Sequence, residues 1–173
     1  LACISFLVEG AVMDWSGVLL TEVKNMDIAL AGTGYAIFSV AMLIMHLLGD
    51  KTVQFLGEQK AVIGGSIVTA AGFALVVVLD NLYLNAFAFI LIGLGCANIV
   101  PVFYSLLKYQ KGMPISAAVT SVTSLGYTGV ILGPALLGFV AHGINISAVF
   151  ELVALLLVIE AGIAKYVFCK LKM

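Results

Sequence analysis

The stretch Glu9-Gly10-Ala11-Val12-Met13-Asp14-Trp15-Ser16 places two carboxylates inside an apolar run that extends from about Leu1 to Thr21. In a membrane-spanning helix such groups are costly, so they usually face protein or a water-filled cavity. A helical projection at about 100° per residue gives two neighbouring polar stripes. The first stripe comprises Ser5, Glu9 and Ser16, and the second comprises Gly10, Asp14, Gly17 and Thr21. The opposite arc predicts a lipid-facing surface made of Ile4, Leu7, Val8, Ala11, Trp15, Val18 and Leu19.

The two carboxylates have separate expected roles. Five positions separate Glu9 from Asp14, which places them about 140° apart and about 7.5 Å apart along the helix axis. They are therefore not expected to share one proton directly. Glu9 fits a proton carrier or a substrate ligand, and it equally fits a structural carboxylate bonded to a neighbouring helix. Asp14 lies beside two glycines, which favours a helix-packing hydrogen bond and makes it the second candidate for transport chemistry.

The composition is that of an integral membrane protein. Of the 173 residues, 63% are hydrophobic and 10% are charged, whereas an ordinary globular domain is about 25% charged. The apolar segments have the length of membrane-spanning helices and lack the ten-residue alternation of a barrel. The fold class is therefore predicted to be all-α, embedded in a lipid bilayer. No nucleic-acid partner is expected.

The cysteines give no indication of a metal site. Cys3, Cys96 and Cys169 all lie in apolar runs and lack metal-ligand spacing. Free, buried thiols are the expected state. No metal and no cofactor are expected.

Six spans are predicted, at 2–22, 29–48, 61–80, 82–106, 115–141 and 146–168. Seven of the eight lysines then fall on one side of the membrane, and Lys24 falls on the other. The positive-inside rule makes that side cytoplasmic, together with both ends of the chain. The seven are Lys51, Lys60, Lys108, Lys111, Lys165, Lys170 and Lys172. Glu160 and Lys165 are expected near the cytoplasmic boundary, where long side chains snorkel or pair.

Three further spans carry polar faces at helical spacing. In the second span the face comprises Gly32, Tyr35, Ser39, Met42 and His46; in the fourth, Asn98, Pro101 and Ser105; in the fifth, Ser116, Thr120, Thr123 and Tyr127. Spans one, two, four and five are therefore expected to line a path, with spans three and six outside. The candidates for a substrate cavity are Asn98, Tyr35, Ser39, Thr123 and Tyr127. Singly, a serine or threonine more often bonds to its own helix backbone.

The connection Gly49-Asp50-Lys51-Thr52-Val53-Gln54-Phe55-Leu56-Gly57-Glu58-Gln59-Lys60 joins spans two and three. It resembles the loop of the major facilitator superfamily that recurs between the second and third helices of each six-helix half. The match rests on Asp50, Lys51, Gly57 and Lys60, which the resemblance makes candidates for a cytoplasmic gate. The segment departs from the family pattern at His46, where Arg is frequent, and at Glu58-Gln59, where basic residues are common.

Three other segments resemble a bacterial branch related to fucose-permease-like sugar transporters. These are Glu9-Gly10 with Asp14-Trp15-Ser16, Gly93-x-Gly95-x-Ala97-Asn98-x-x-Pro101, and Gly126-Tyr127 with Gly133-Pro134. The likeness covers residues 1–173 and fits the C-terminal half, helices seven to twelve of twelve. It implies two inverted three-helix repeats, an N-terminal half as the required partner, alternating access, and commonly a proton gradient as the driving force.

The expected function is thus secondary active transport of a small polar solute, with a sugar among the candidates, in a bacterial inner membrane. One alternative is a non-transporting membrane sensor or scaffold with a transporter fold. Another is a six-helix protein that transports as a homodimer. An enzyme is disfavoured because the sequence lacks a Gly-x-Ser-Gly, Gly-x-Gly-Asp or His-Glu-x-x-His site.

Overall fold

The computed structural model of the protein describes residues 1–110 and 112–171. Two of the seven lysines assigned to the cytoplasmic side, Lys111 and Lys172, lie outside the described residues. Within them the structure is helical and contains no strand, which confirms the all-α membrane class. Six helical segments are long and apolar enough to cross a membrane, at Ala2–Val23, Ile28–Leu56, Glu58–Val78, Leu82–Tyr109, Ile115–Gly143 and Ile146–Lys170. The prediction of six spans is confirmed.

Seven α-helices build these six spans, because the fourth span is divided. They are α1 Ala2–Val18, α2 Thr33–Leu56, α3 Glu58–Val78, α4 Leu82–Cys96, α5 Ile99–Leu106, α6 Ile115–Gly143 and α7 Ile146–Leu171. A π-helical turn, Leu19–Val23, extends α1, and a short 3₁₀ turn, Ile28–Leu30, precedes α2.

The fourth span was predicted as one segment, 82–106, with Pro101 on its polar face. Instead α4 ends at Cys96, α5 starts at Ile99, and Asn98 lies between them. Pro101 has no N–H to donate to the carbonyl of Ala97 four residues earlier, and its ring crowds that carbonyl. The chain relieves this crowding by breaking the helix one turn before the proline.

The connection between the second and third spans is almost entirely helical, contrary to the expected loop. Helix α2 continues to Leu56 and α3 begins at Glu58, so only Gly57 interrupts them. Gly57 has φ 83°, a conformation that glycine adopts without the steric cost of a Cβ atom. Asp50 and Lys51 therefore lie in the last turns of α2, and Lys60 lies in the first turn of α3.

The helices pack in pairs that suggest an internal repeat. The most extensive contacts join α1 to α6, α2 to α4, and α3 to both α4 and α7. The α1–α6 pair joins spans one and five, and the α2–α4 pair joins spans two and four. These two pairs are equivalent if spans one to three correspond to spans four to six, as inverted repeats require. Small residues allow the close approach: a Cβ atom on Gly93 of α4 would meet the Phe38 carbonyl oxygen of α2 at 2.5 Å.

The predicted lipid-facing arc of the first helix is wrong. Leu7, Val8, Ala11 and Leu19 are buried inside the bundle, and Trp15 packs against the same core. The reason is that lipid and the interior of a membrane protein are equally apolar. Hydrophobicity therefore locates the apolar side of a helix without saying whether lipid or protein covers it.

Candidate functional site

A cavity of about 350 Å³ lies between α1 and α2, with an edge from α6. Two carboxylate residues of α1, Glu9 and Asp14, line it together with Tyr35, Ser39 and His46 of α2. The remaining lining is mostly apolar and comes from Phe6, Gly10, Met13, Phe38, Met42, Leu43 and Val130. The polar stripes of the first two spans thus converge on one place.

Glu9 is one of two charged groups in this cavity that have no partner within the described residues, and Asp14 is the other. Its side chain is half-buried, and no hydrogen bond or ion pair to it is made within the described part of the chain. Ser39, in contrast, donates a hydrogen bond to the Tyr35 carbonyl oxygen at 2.8 Å. This is the bond to its own helix backbone that is common for serine. The Tyr35 side chain is 41% exposed. Among the polar side chains of the cavity, Glu9, Asp14, Tyr35 and His46 therefore make no side-chain hydrogen bond within the described residues and can meet a solute.

Asp14 lies where this cavity meets a second hollow. The second hollow has a volume of about 480 Å³ and shares Met13, Asp14 and Tyr35 with the first. It continues along α1 towards Thr21 and Glu22. Asp14 is exposed, so the helix-packing hydrogen bond favoured for it from its glycine neighbours is not observed. A continuous groove therefore runs between α1 and α2.

Thr123 and Tyr127 are not among the residues that line the cavity. The Thr123 hydroxyl oxygen lies 2.7 Å from the Tyr104 hydroxyl oxygen, which links α6 to α5. The ring of Tyr127 lies 5.7 Å from that of Phe6, centroid to centroid. Phe6 itself lines the cavity, so Tyr127 contacts a lining residue without lining the cavity.

Asn98 lies apart from Glu9, in a hollow of about 300 Å³ bordered by α2, α3 and α4. It is 5% exposed. A Cβ atom on Gly49 of α2 would meet Asn98 Oδ1 at 2.5 Å. This placement, at the break between α4 and α5, favours packing against α2 over contact with a solute in the cavity.

Glu58, which stands where basic residues are common in the family pattern, is held by contacts to the end of the fourth span. Its Oε1 accepts a hydrogen bond from Ser105 Oγ at 2.9 Å and pairs with Lys108 Nζ at 3.0 Å. The acidic residue on α3 thus meets a basic residue at the end of the fourth span. All four predicted gate residues, Asp50, Lys51, Gly57 and Lys60, are exposed. Sequence reasoning noted Glu58 only as a departure and did not pair it.

Glu160 is the acidic residue that sequence reasoning misplaced. It does not snorkel: it is 0% exposed, and its Oε1 accepts a hydrogen bond from Ser5 Oγ at 2.7 Å. It lies 11 residues before the end of α7 at Leu171, about 16 Å along the axis. Because a hydrocarbon core is about 30 Å thick, this distance places Glu160 near the middle of the membrane. Its position along the helix could therefore have predicted burial from the sequence. No group of His, Cys, Asp and Glu residues able to hold a metal was found in the described residues.

The chain is similar over nearly its whole length to bacterial transporters. It is 40% identical over 167 residues to an uncharacterised MFS-type transporter of Yersinia pestis, covering 96% of this chain and 44% of the relative. It is 30% identical over 164 residues to an uncharacterised transporter of Sinorhizobium fredii, covering 95% of this chain and 44% of that relative. The membrane protein MosC of Rhizobium meliloti is 24% identical over 163 residues, which are 94% of this chain and 39% of MosC.

The chain therefore spans less than half the length of these curated relatives. No family model matches the chain. No solved structure matches it.

Proposed function

We propose that this chain belongs to the major facilitator superfamily and is the C-terminal six-helix half of a secondary active transporter. The transporter moves a small polar solute by alternating access and draws on a proton gradient. The observation that carries the proposal is the cavity between α1 and α2, where Glu9, a carboxylate without a partner in the described part of the chain, meets the polar face of the second span. The shared length with the relatives supports a half, since the chain matches 44% of two of them.

The surface of α2 and α6 supports a partner half. Only 17% of the membrane-spanning part of the second span, and 22% of the fifth, is buried within the chain, compared with 61% for the fourth. Exposed residues of α2 and α6 also border the cavity, among them His46 and Val130. A second six-helix unit, the N-terminal half, would cover these faces and enclose the cavity.

The orientation follows from the lysines. Lys51, Lys60 and Lys108 lie near one end of the bundle, and Lys24 lies near the other. By the positive-inside rule the first end is cytoplasmic, and so are both ends of the chain. The site of action is a bacterial inner membrane, as expected for relatives from bacteria.

Each candidate residue takes a role in this proposal. Glu9 carries the proton or contacts the solute, and Asp14 is second, at the junction of the two hollows. Tyr35 presents its hydroxyl to the solute, while the Ser39 hydroxyl stays bonded to its own helix. Thr123 ties α6 to α5, Tyr127 packs on Phe6, and Asn98 packs against α2 outside the cavity. The gate is the junction of α2 and α3, which contains Asp50, Lys51, Gly57 and Lys60.

The proposal is tested by solute uptake into proteoliposomes that hold the full-length protein. Sugars and other small polar solutes are screened with and without a pH gradient, for wild type, Glu9→Gln and Asp14→Asn. Glu151→Gln serves as the matched control, because Glu151 is exposed on α7 away from the cavity. The expected result is gradient-driven uptake that Glu9→Gln abolishes, that Asp14→Asn reduces and that Glu151→Gln leaves unchanged.

Two outcomes count against parts of the proposal. Uptake that ignores both the gradient and Glu9→Gln removes proton coupling and leaves facilitated transport. Absence of uptake for every solute, with all variants folded, favours the sensor or scaffold alternative.

A further inference from the structure

The Ser5–Glu160 pair is a second polar site, separate from the cavity. Glu160 is fully buried between helices, with Ser5 Oγ 2.7 Å from its Oε1. Its other oxygen, Oε2, has no hydrogen-bond partner in the described part of the chain. Ser5 is also buried, at 3% exposure. The two residues join α1 to α7 in the interior of the bundle.

Within the described residues no lysine or histidine side chain forms an ion pair with Glu160. Among the described residues the only ion pairs are Lys24 with Asp80 and Lys108 with Glu58. A buried carboxylate that lacks a cation and receives one neutral hydrogen bond is energetically expensive. Binding one proton at Oε2 removes that charge, and the serine hydroxyl can then either donate or accept.

The surroundings of Glu160 contain few other titratable groups. On α1 there is Glu9, one turn beyond Ser5; on α4 there is the buried thiol of Cys96. Helix α3 contributes no titratable group at the level of Glu160. Its Lys60 lines the same hollow as Phe168, which lies two turns further along α7. On α6, Tyr127 stacks on Phe6 instead, and His142 lies near the far end of that helix.

We propose that Ser5 and Glu160 form a buried proton-binding site behind the transport cavity. The ligand is a single proton, taken up at Glu160 Oε2 and released to water through the face of α1 that carries Glu9. Ser5 and Glu9 are four residues apart, about 6 Å along α1, so Glu9 lies one turn from the hydroxyl group that contacts Glu160. The role of this site in transport rests on the proposed function, whereas its protonation does not require a solute.

Infrared difference spectroscopy tests the site directly. Spectra of the full-length protein in liposomes are recorded at acidic and neutral pH, and the C=O stretching band of a protonated carboxylic acid is followed. Wild type is expected to show a band that changes with pH. Glu160→Gln should remove it, since the amide keeps the shape and the acceptor for Ser5 but cannot bind the proton. Glu9→Gln and Glu151→Gln should retain it.

Ser5→Ala provides an independent measurement. Loss of the hydroxyl removes the one hydrogen bond to Glu160, so the band should persist at a shifted frequency. A band that is identical in Glu160→Gln and wild type overturns the proposal, and so does the absence of any pH-dependent band. If Glu160→Gln does not yield folded protein, Ser5→Ala decides, and an unshifted band then overturns the proposal.

The spectra and the uptake assay fail separately. A band that depends on Glu160, in a protein that moves none of the solutes, supports the buried site and counts only against the transport proposal. Gradient-driven uptake without such a band does the reverse.

Discussion

Two carboxylates in apolar spans, Glu9 and Glu160, have opposite surroundings. Glu9 lies half-buried at the edge of a cavity and has no hydrogen-bond partner in the described residues. Glu160 is fully enclosed and bonded to Ser5, one turn from Glu9 on the same helix. The difference comes from the neighbouring helices, since α2 leaves the Glu9 face open whereas α1 and α7 close on each other. The single helix α1 therefore contributes Glu9 to an open cavity and Ser5 to an enclosed site.

Separating α1 from α6 should destroy both environments and have the largest effect. A Cβ atom on Gly129 of α6 would clash with the backbone oxygen of Cys3, which cannot swing aside as a side chain would. We expect Gly129→Ala to abolish most of the folded protein, measured as the monodisperse peak in size-exclusion chromatography in detergent.

Gly162→Ala is the matched control for that experiment. Gly162 is also helical, and a Cβ atom there would meet nothing within 4 Å. Its yield should equal that of wild type. Equal yields of the two variants would contradict the close packing of α1 on α6.

Thiol labelling should separate the two carboxylate positions by rate. In full-length protein lacking Cys3, Cys96 and Cys169, we expect Glu9→Cys to react with a charged, water-soluble thiol reagent at least about tenfold faster than Glu160→Cys, because reaction requires access. The exposed position Glu151→Cys reports the unhindered rate. Similar rates at positions 9 and 160 would remove the contrast between an open cavity and a sealed site.

The polar stripes made part of the site predictable. Glu9, Tyr35, Ser39 and His46 share one cavity because helical periodicity fixes which residues of one helix share a face. Periodicity within single helices does not say which two faces meet. Asn98 illustrates this, since it lies on a polar face of its own span yet faces Gly49 in another hollow.

The errors have a common physical origin. The arc containing Leu7 and Val8 was assigned to lipid, and Glu160 was assigned to the boundary, although all three are buried in protein. In water, hydrophobicity separates inside from outside, but in a membrane both the lipid side and the protein side are apolar. Only contacts between distant residues, such as Ser5 with Glu160, resolve the ambiguity. Six spans were nevertheless predictable, because length and apolarity suffice for them.

Removing a single hydroxyl group should lower the free energy of unfolding more at the enclosed site than at the open cavity. Ser5→Ala deletes a buried hydrogen bond between helices, and we expect a loss of about 1–3 kcal/mol in the free energy of unfolding. Ser39→Ala deletes only a bond to the carbonyl of its own helix, so the expected change lies within about 0.5 kcal/mol. Unfolding by denaturant in mixed micelles measures both. A larger loss for Ser39→Ala than for Ser5→Ala would contradict the assignment of the sealed site.

The smallest effect is expected at an exposed polar contact, the pair formed by Lys108 and Glu58. The Lys108 side chain is 53% exposed, and Glu58 also accepts a hydrogen bond from Ser105. Water and ions screen such a pair, so Lys108→Met should shift the unfolding midpoint less than Ser5→Ala does. The difference from wild type should also disappear as salt is added, whereas the effect of Ser5→Ala should not depend on salt. A shift from Lys108→Met that is larger than that from Ser5→Ala and persists in high salt would mean that the junction of α3 and α5 carries more of the stability than the buried Ser5–Glu160 contact.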